Sequence, residues 1–195
     1  YMKNVLRTLT HFRGPERWVL KCPQHMEQLP VLKKVFPDAT VVITHRDPIA
    51  VIQSSVTMIA YGARMRLSRI DTEGLMQYWS DRIEHMLRAC VRERAAWPAS
   101  QSLDVYFHEF MADDMGTVGK IYAKAPIGGA GYDAAGDPLP EDVRTALQRF
   151  LADHPRGKEG RVVYDMKRDF GIEPAQLRRR FAFYFDAFPQ LRTEA

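Results

Sequence analysis

Cysteine is nearly absent: the 195 residues contain two, Cys22 and Cys90, with no partner spacing that suits a zinc site or a redox pair. A disulfide scaffold is therefore excluded, and both thiols read as reduced and buried. No apolar run approaches the roughly 18 residues of a membrane span, and no short apolar stretch follows a basic start, so the compartment read from the sequence is the cytoplasm. Charge of one sign is also scarce. The 28 Lys and Arg against 24 Asp and Glu leave a net +4, with a pI near 9.1. These cations are dispersed among carboxylates without aromatic interleaving, which disfavours a nucleic-acid binder and leaves an anionic small ligand compatible. With 46% hydrophobic residues and only 12 glycines and 12 prolines, neither collagen nor disorder fits. No repeat, low-complexity tract or linker divides the chain, so residues 1–195 form a single domain.

The chain opens on Tyr1, inside a segment whose Tyr1, Val5, Leu9 and Phe12 recur at helical spacing with no capping residue ahead, as though it starts mid-element. Gly14-Pro15 breaks this helix, and Trp18 to Lys21 reads as a strand. His25, Met26, Leu29, Leu32, Val35 and Phe36 follow at helical steps before a second strand, Thr40 to Thr44. Strand, helix, strand of this length predicts a parallel sheet with a right-handed crossover, an α/β fold. Asp47 and Pro48 then cap and open a helix through Ile59. A long amphipathic helix covers Thr72 to Trp97, with Leu75, Trp79, Ile83, Met86, Leu87, Cys90 and Val91 on its apolar stripe. Further on lie a strand from Leu103 to Phe107 and a helix from Met115 to Lys124. A glycine-rich loop over 128–137 precedes a helix from Pro140 to His154. Arg156 to Gly171 reads as a loop, and a last helix from Pro174 carries Leu177, Phe181, Tyr184, Phe185 and Phe188.

Three constellations can carry chemistry. Arg46 sits on the turn between a strand and the helix bearing Ser54 and Ser55. Ligands of open parallel sheets bind at the carboxyl ends of strands, and a guanidinium there grips phosphate through two N–H donors. The competing reading is a structural Arg–carboxylate pair, since the Asp47 carboxylate already occupies the helix start and repels an anion from it. Lys21 and His25, in Lys21-Cys22-Pro23-Gln24-His25, place a cation and a titratable base on one rim, or else are a solvated lysine and a capping histidine. In Arg156-Gly157-Lys158-Glu159-Gly160-Arg161, two glycines permit tight turns and three cations are able to close over a phosphate, unless the loop is merely solvated.

Together, Leu20 to His25, Phe36-Pro37-Asp38-Ala39 and His45-Arg46-Asp47-Pro48, with Ser54 eight residues after Arg46, resemble the core of the sulfotransferase family in its bacterial branch. Asp104-Val105-Tyr106 and Tyr164 to Gly171 extend the similarity over nearly the whole chain, with Trp18 to Ser55 the specific part. The resemblance implies a three-layer parallel sheet flanked by helices, related to the P-loop NTPases, with a helix-rich carboxyl-terminal half. It implies that Arg46 and Ser54 bind the 3′-phosphate of the sulfuryl donor PAPS, and that Arg156, Gly157 and Lys158 match, loosely, the family's late basic loop over the same phosphate. The family's Pro-Arg-Ser-Gly-Thr loop for the 5′-phosphosulfate has no counterpart. The only glycine cluster, Gly128-Gly129-Ala130-Gly131, lacks a preceding strand and a following Lys-Ser or Lys-Thr pair. The chain is accordingly expected to be the carboxyl-terminal part of a longer catalytic domain, whose sheet without its first strand exposes an apolar edge unless another element covers it.

The function that follows is metal-free transfer of a sulfuryl group from PAPS to a hydroxyl or amine of a small molecule or glycan. Lys21 would stabilise the leaving oxygens and His25 take the acceptor proton. The rival from another class is a non-catalytic module retaining a site for 3′-phosphoadenosine nucleotides. Tyr61, Trp79 and Tyr132 line an acceptor pocket or belong to the core.

Overall fold

The computed structural model describes residues 1–14, 17–125, 139–158, 160 and 163–193. The expected glycine loop at 128–137, with Tyr132, lies outside them, as do Glu159 and Arg161 of the late basic loop. The α/β class holds. The run Val41-Val42-Ile43-Thr44, three β-branched aliphatics and a threonine that favour a pleated, half-buried surface, forms β1 (Val41–His45). It pairs in parallel with β2 (Ser102–Tyr106), in register from Val41 opposite Ser102 to His45 opposite Tyr106. These two strands make up the sheet among the described residues.

Preceding β1 are α1 (Met2–Arg13), a 3-10 helix (Pro23–Glu27) and α2 (Leu29–Val35); the crossover to β2 runs through α3 (Pro48–Ala63) and α4 (Thr72–Glu93). After β2 come α5 (Phe107–Ala112), α6 (Asp114–Lys124), α7 (Glu141–Asp153), α8 (Met166–Phe170), α9 (Pro174–Arg180) and α10 (Ala182–Ala187).

The start of α3 follows the local chemistry: the Asp47 carboxylate accepts from the Ile49 N–H at 2.9 Å, and Pro48 occupies the first turn. Ile49, Ile52, Val56 and Ala60 form its buried stripe. Asp47→Ala is expected to destabilise the fold by about 1–2 kcal/mol through the lost cap, measured by urea unfolding. In α4, capped by Asp71 on the Gly74 N–H, Met76, Ser80, Ile83, Leu87 and Cys90 repeat at alternating steps of four and three, one residue offset from the expected stripe at its start. Leu75, Trp79 and Val91 are partly buried beside it.

The main core joins α3 and α4 to the carboxyl-terminal helices, with Ile52, Val56, Met76, Phe181 and Tyr184 at its centre. A second cluster packs Leu29, Ile43, Cys90 and Trp97, and the Trp97 indole N–H donates to the Leu29 carbonyl at 3.0 Å. Burial pushes the Cys90 thiol up to about 11, so it stays a protonated, inert core residue.

Several expectations are corrected. Trp18 to Lys21 is not a strand: no ladder partner lies beside it among the described residues, and Val19 is 81% exposed. The helix expected from His25 onward splits at Gln28 into the 3-10 helix and α2, with Pro30 in the first turn of the latter. Cys22 is exposed rather than buried, its thiol against Gln24 Oε1. The stretch from Arg156 to Gly171 is not all loop, because Asp165 caps α8 on the Arg168 N–H and Gly171, at φ 70°, closes it in the left-handed region. The last helix breaks at Phe181 into α9 and α10. Helix α1 forms as expected but buries no residue, and the Trp18 indole N–H ties it down through the Thr10 hydroxyl at 2.9 Å.

Candidate functional site

Side chains alternate along a strand, so His45, Asp104 and Tyr106 share the sheet face turned toward α4 and α10. His45 is 1% exposed. Its Nε2–H donates to Asp104 Oδ1 at 2.9 Å, and in the neutral ring Nδ1 accepts from the Tyr184 hydroxyl of α10 at 2.7 Å. Asp104 also accepts from Arg94 Nε and Nη2 at 2.9 and 2.8 Å. Partial burial pushes the Asp104 carboxyl up, but the hydrogen bonds from His45 and Arg94, with the guanidinium charge, outweigh it and hold the group well below the ordinary carboxylate range. Burial pushes the Tyr184 phenol far up, so it remains a donor. Phe188 and Tyr106 enclose the imidazole at centroid distances of 4.2 and 5.1 Å.

The next residue, Arg46, leaves this buried row at the carboxyl end of β1. Its guanidinium lies 4.2 Å over the ring of Phe107, the first residue of α5. Stacking of this kind covers one face of the guanidinium and fixes the plane in which its N–H groups lie. Asp47, 1% exposed, caps α3 and meets Arg178 Nη2 of α9 at 3.4 Å. A pocket of about 220 Å³ opens beside the turn, lined by His45, Arg46, Asp47, Phe107, His108, Leu191, Arg192 and Thr193. Binding sites for whole small molecules generally run to about 300–1,000 Å³. This pocket is smaller than that, and its lining sets the N–H donors of Arg46, His108 and Arg192 beside the Asp47 carboxylate and the apolar Phe107 and Leu191.

Ser54 lies two turns into α3 and is joined there by Tyr164, hydroxyl to hydroxyl, at 3.4 Å. Arg156 donates to the Met111 carbonyl at 2.9 Å and pairs with Asp114 at 3.1 Å. Met111 is four residues from Phe107 along α5, about 6 Å of helical rise. The late loop is thus fastened at Arg156 to the end of α5 and the start of α6, and at Tyr164 to Ser54 of α3. The cations themselves are engaged with the protein, since Lys158 donates to the Asp153 carbonyl at 2.9 Å. Gly157 takes φ 82°, a conformation that favours glycine.

Lys21 is exposed in the extended segment before the 3-10 helix, which holds the half-buried His25. The sheet rim expected beneath them is not formed among the described residues, because Trp18 to Lys21 pairs with no strand there. Of the aromatics offered for an acceptor pocket, Tyr61 is exposed and Trp79 packs against the main core. Arg94, Arg178, His108 and Arg192 were not singled out by the sequence, and Asp104 and Tyr184 entered only through the family resemblance and the last helix's apolar stripe. The one local signal was a tyrosine, with its polar tip, on an otherwise apolar aromatic stripe at 184. Among the described residues, no group of three or more His, Cys, Asp or Glu is placed to hold a metal, and no helix is long and apolar enough to cross a membrane.

These features define an α/β protein with a basic turn at the carboxyl end of a parallel strand. The chain belongs to the sulfotransferase family, whose sequence pattern it matches over residues 1–127. The match ends before the late basic loop. Two crystal structures share the fold. A sulfotransferase from Mycobacterium avium superimposes with a TM-score of 0.73 at 24% identity, over 91% of this chain and 43% of that one. A sulfotransferase from Mycobacterium tuberculosis H37Rv does so with a TM-score of 0.66 at 25% identity, over 86% of this chain and 40% of that one. The chain spans less than half the length of either. No curated protein matches it in sequence.

Proposed function

We propose that this chain contributes the 3′-phosphate site and the acceptor-activating residues of a sulfotransferase that uses PAPS. The observation that carries this reading is the placement of Arg46, stacked on Phe107 at the carboxyl end of β1 beside a small pocket that it lines with His108 and Arg192, in a chain of this family. Arg46 and Ser54 hold the donor's 3′-phosphate. Arg156, Gly157 and Lys158 form the late loop over it, Arg156 and Lys158 exchanging their present backbone partners for phosphate oxygens. Bound PAPS supplies the activated sulfuryl group. The acceptor oxygen or nitrogen bonds to sulfur as the bond from sulfur to the leaving phosphate oxygen breaks. Lys21 neutralises that oxygen, and His25 takes the acceptor proton. Free thiols and the absence of a membrane-crossing helix among the described residues are compatible with a cytoplasmic enzyme.

Calorimetric titration of the chain with adenosine 3′,5′-bisphosphate, the desulfated donor, tests the site. Saturable heat is expected, and no heat at millimolar ligand defeats the reading. In the complete catalytic domain, Lys21→Ala is expected to lower kcat by about 10²–10³-fold and His25→Ala by about 10²–10⁴-fold. Intact turnover in His25→Ala alone removes His25 as the base. Nucleotide binding with no turnover in the complete domain favours the non-catalytic module.

A further inference from the structure

We propose that α9 and α10 clamp the turn that presents Arg46 from both sides, making Tyr184 and Arg178 positioning residues for the anion site. The inference rests on the reading of Arg46 as the phosphate-binding residue. His45 and Asp47 flank Arg46 directly, and each is 1% exposed. Tyr184 of α10 holds the first through its hydroxyl at 2.7 Å, and Arg178 of α9 holds the second at 3.4 Å.

The clamp acts on direction, not merely on packing. A guanidinium delivers two parallel N–H bonds to a phosphate only when its plane is set, and that plane follows the backbone at Arg46 and the ring beneath it. His45 is pinned at both ring nitrogens, by Tyr184 and by Asp104. Asp47 is pinned by the Ile49 N–H as well as by Arg178. Arg46 is therefore carried between two residues whose side chains have little freedom left. The tail after α10 reaches the same place, with Leu191, Arg192 and Thr193 lining the pocket together with Arg46. None of these carboxyl-terminal residues lies within the stretch that matches the family, which ends at 127.

Tyr184→Phe keeps the ring and removes only the bond to His45; Arg178→Met keeps bulk and removes the pair with Asp47; Arg178→Lys restores a cation. Amide hydrogen exchange of residues 45–49 is compared with that of residues 83–90 in α4. Tyr184→Phe and Arg178→Met are expected to speed exchange at the turn about tenfold while α4 changes less than twofold. Both are expected to weaken adenosine 3′,5′-bisphosphate binding about fivefold or more, with partial rescue in Arg178→Lys. Unchanged exchange at the turn, or acceleration of α4 in step with it, overturns the clamp. Undiminished nucleotide binding by both variants overturns its positioning role. Failure of the unsubstituted chain to bind the nucleotide defeats the donor reading instead, and the exchange data then still decide whether the turn is clamped.

Discussion

Replacing Arg46 by alanine is expected to weaken binding of adenosine 3′,5′-bisphosphate by about 30- to 150-fold, read from calorimetric Kd values. The magnitude follows from the roughly 2–3 kcal/mol that charge-assisted hydrogen bonds to a phosphate contribute. Arg46 is half-buried and its stacking on Phe107, at 4.2 Å, contributes on the order of 0.5–1 kcal/mol to folding. Arg46→Lys keeps the charge but not the planar fork, so it should recover only a fraction of the affinity. Alanine at 46 binding the nucleotide as tightly as arginine would remove this residue from the site.

The largest effect on stability is expected at Asp104. Asp104→Ala leaves the Arg94 guanidinium and the buried His45 Nε2–H without their shared acceptor. Breaking a partly buried charge network in this way costs about 3–5 kcal/mol. For a chain of this size that corresponds to a melting temperature lower by about 6–20 °C in a thermal scan. The pH dependence has a definite sign. The folded-state carboxyl lies below its unfolded value of about 4, so its stabilisation is fully present above that pH and is lost as pH falls toward the depressed folded value. The stability gap between the unsubstituted chain and Asp104→Asn should accordingly shrink on acidification below about pH 4. A gap constant from pH 5 to pH 2 would show that the charge of Asp104 contributes nothing.

What was legible in the sequence was local chemistry. The Asp47-Pro48 start of α3, the periodic stripe of α4 and the helix ending at His154 each follow from residues within a few positions of one another. Both strands of the sheet were also legible, because Val41-Val42-Ile43 is an apolar run and Leu103, Val105 and Tyr106 follow a Pro-Ala-Ser loop as aliphatic and aromatic residues of strand type. Trp18 to Lys21 has a similar composition yet forms no strand, since strand formation requires a neighbour to complete the ladder, and composition does not report one. The six-residue α5, directly abutting β2, is too short to leave a period. Within the site, Arg46 and Ser54 were visible as a turn-and-helix pair. The partners that hold the turn were not, because Asp104, Arg178 and Tyr184 lie 59, 131 and 139 residues from the atoms they bind.

Those separations have a consequence for the order in which the molecule is made. Closing long loops is slow and entropically costly, so contacts between the two ends of a chain are among the last to form. As the chain leaves the ribosome, β1 and α3 emerge before α9 and α10, with Arg46 between them and only the Asp47 cap on Ile49 in place beside it. Tyr184 emerges about 140 residues later. The turn therefore gathers its contacts in sequence, from the Asp47 cap on Ile49 through the Asp104 bond to His45 to the docking of α9 and α10, and until the last of these Arg46 sits on a turn held on fewer sides.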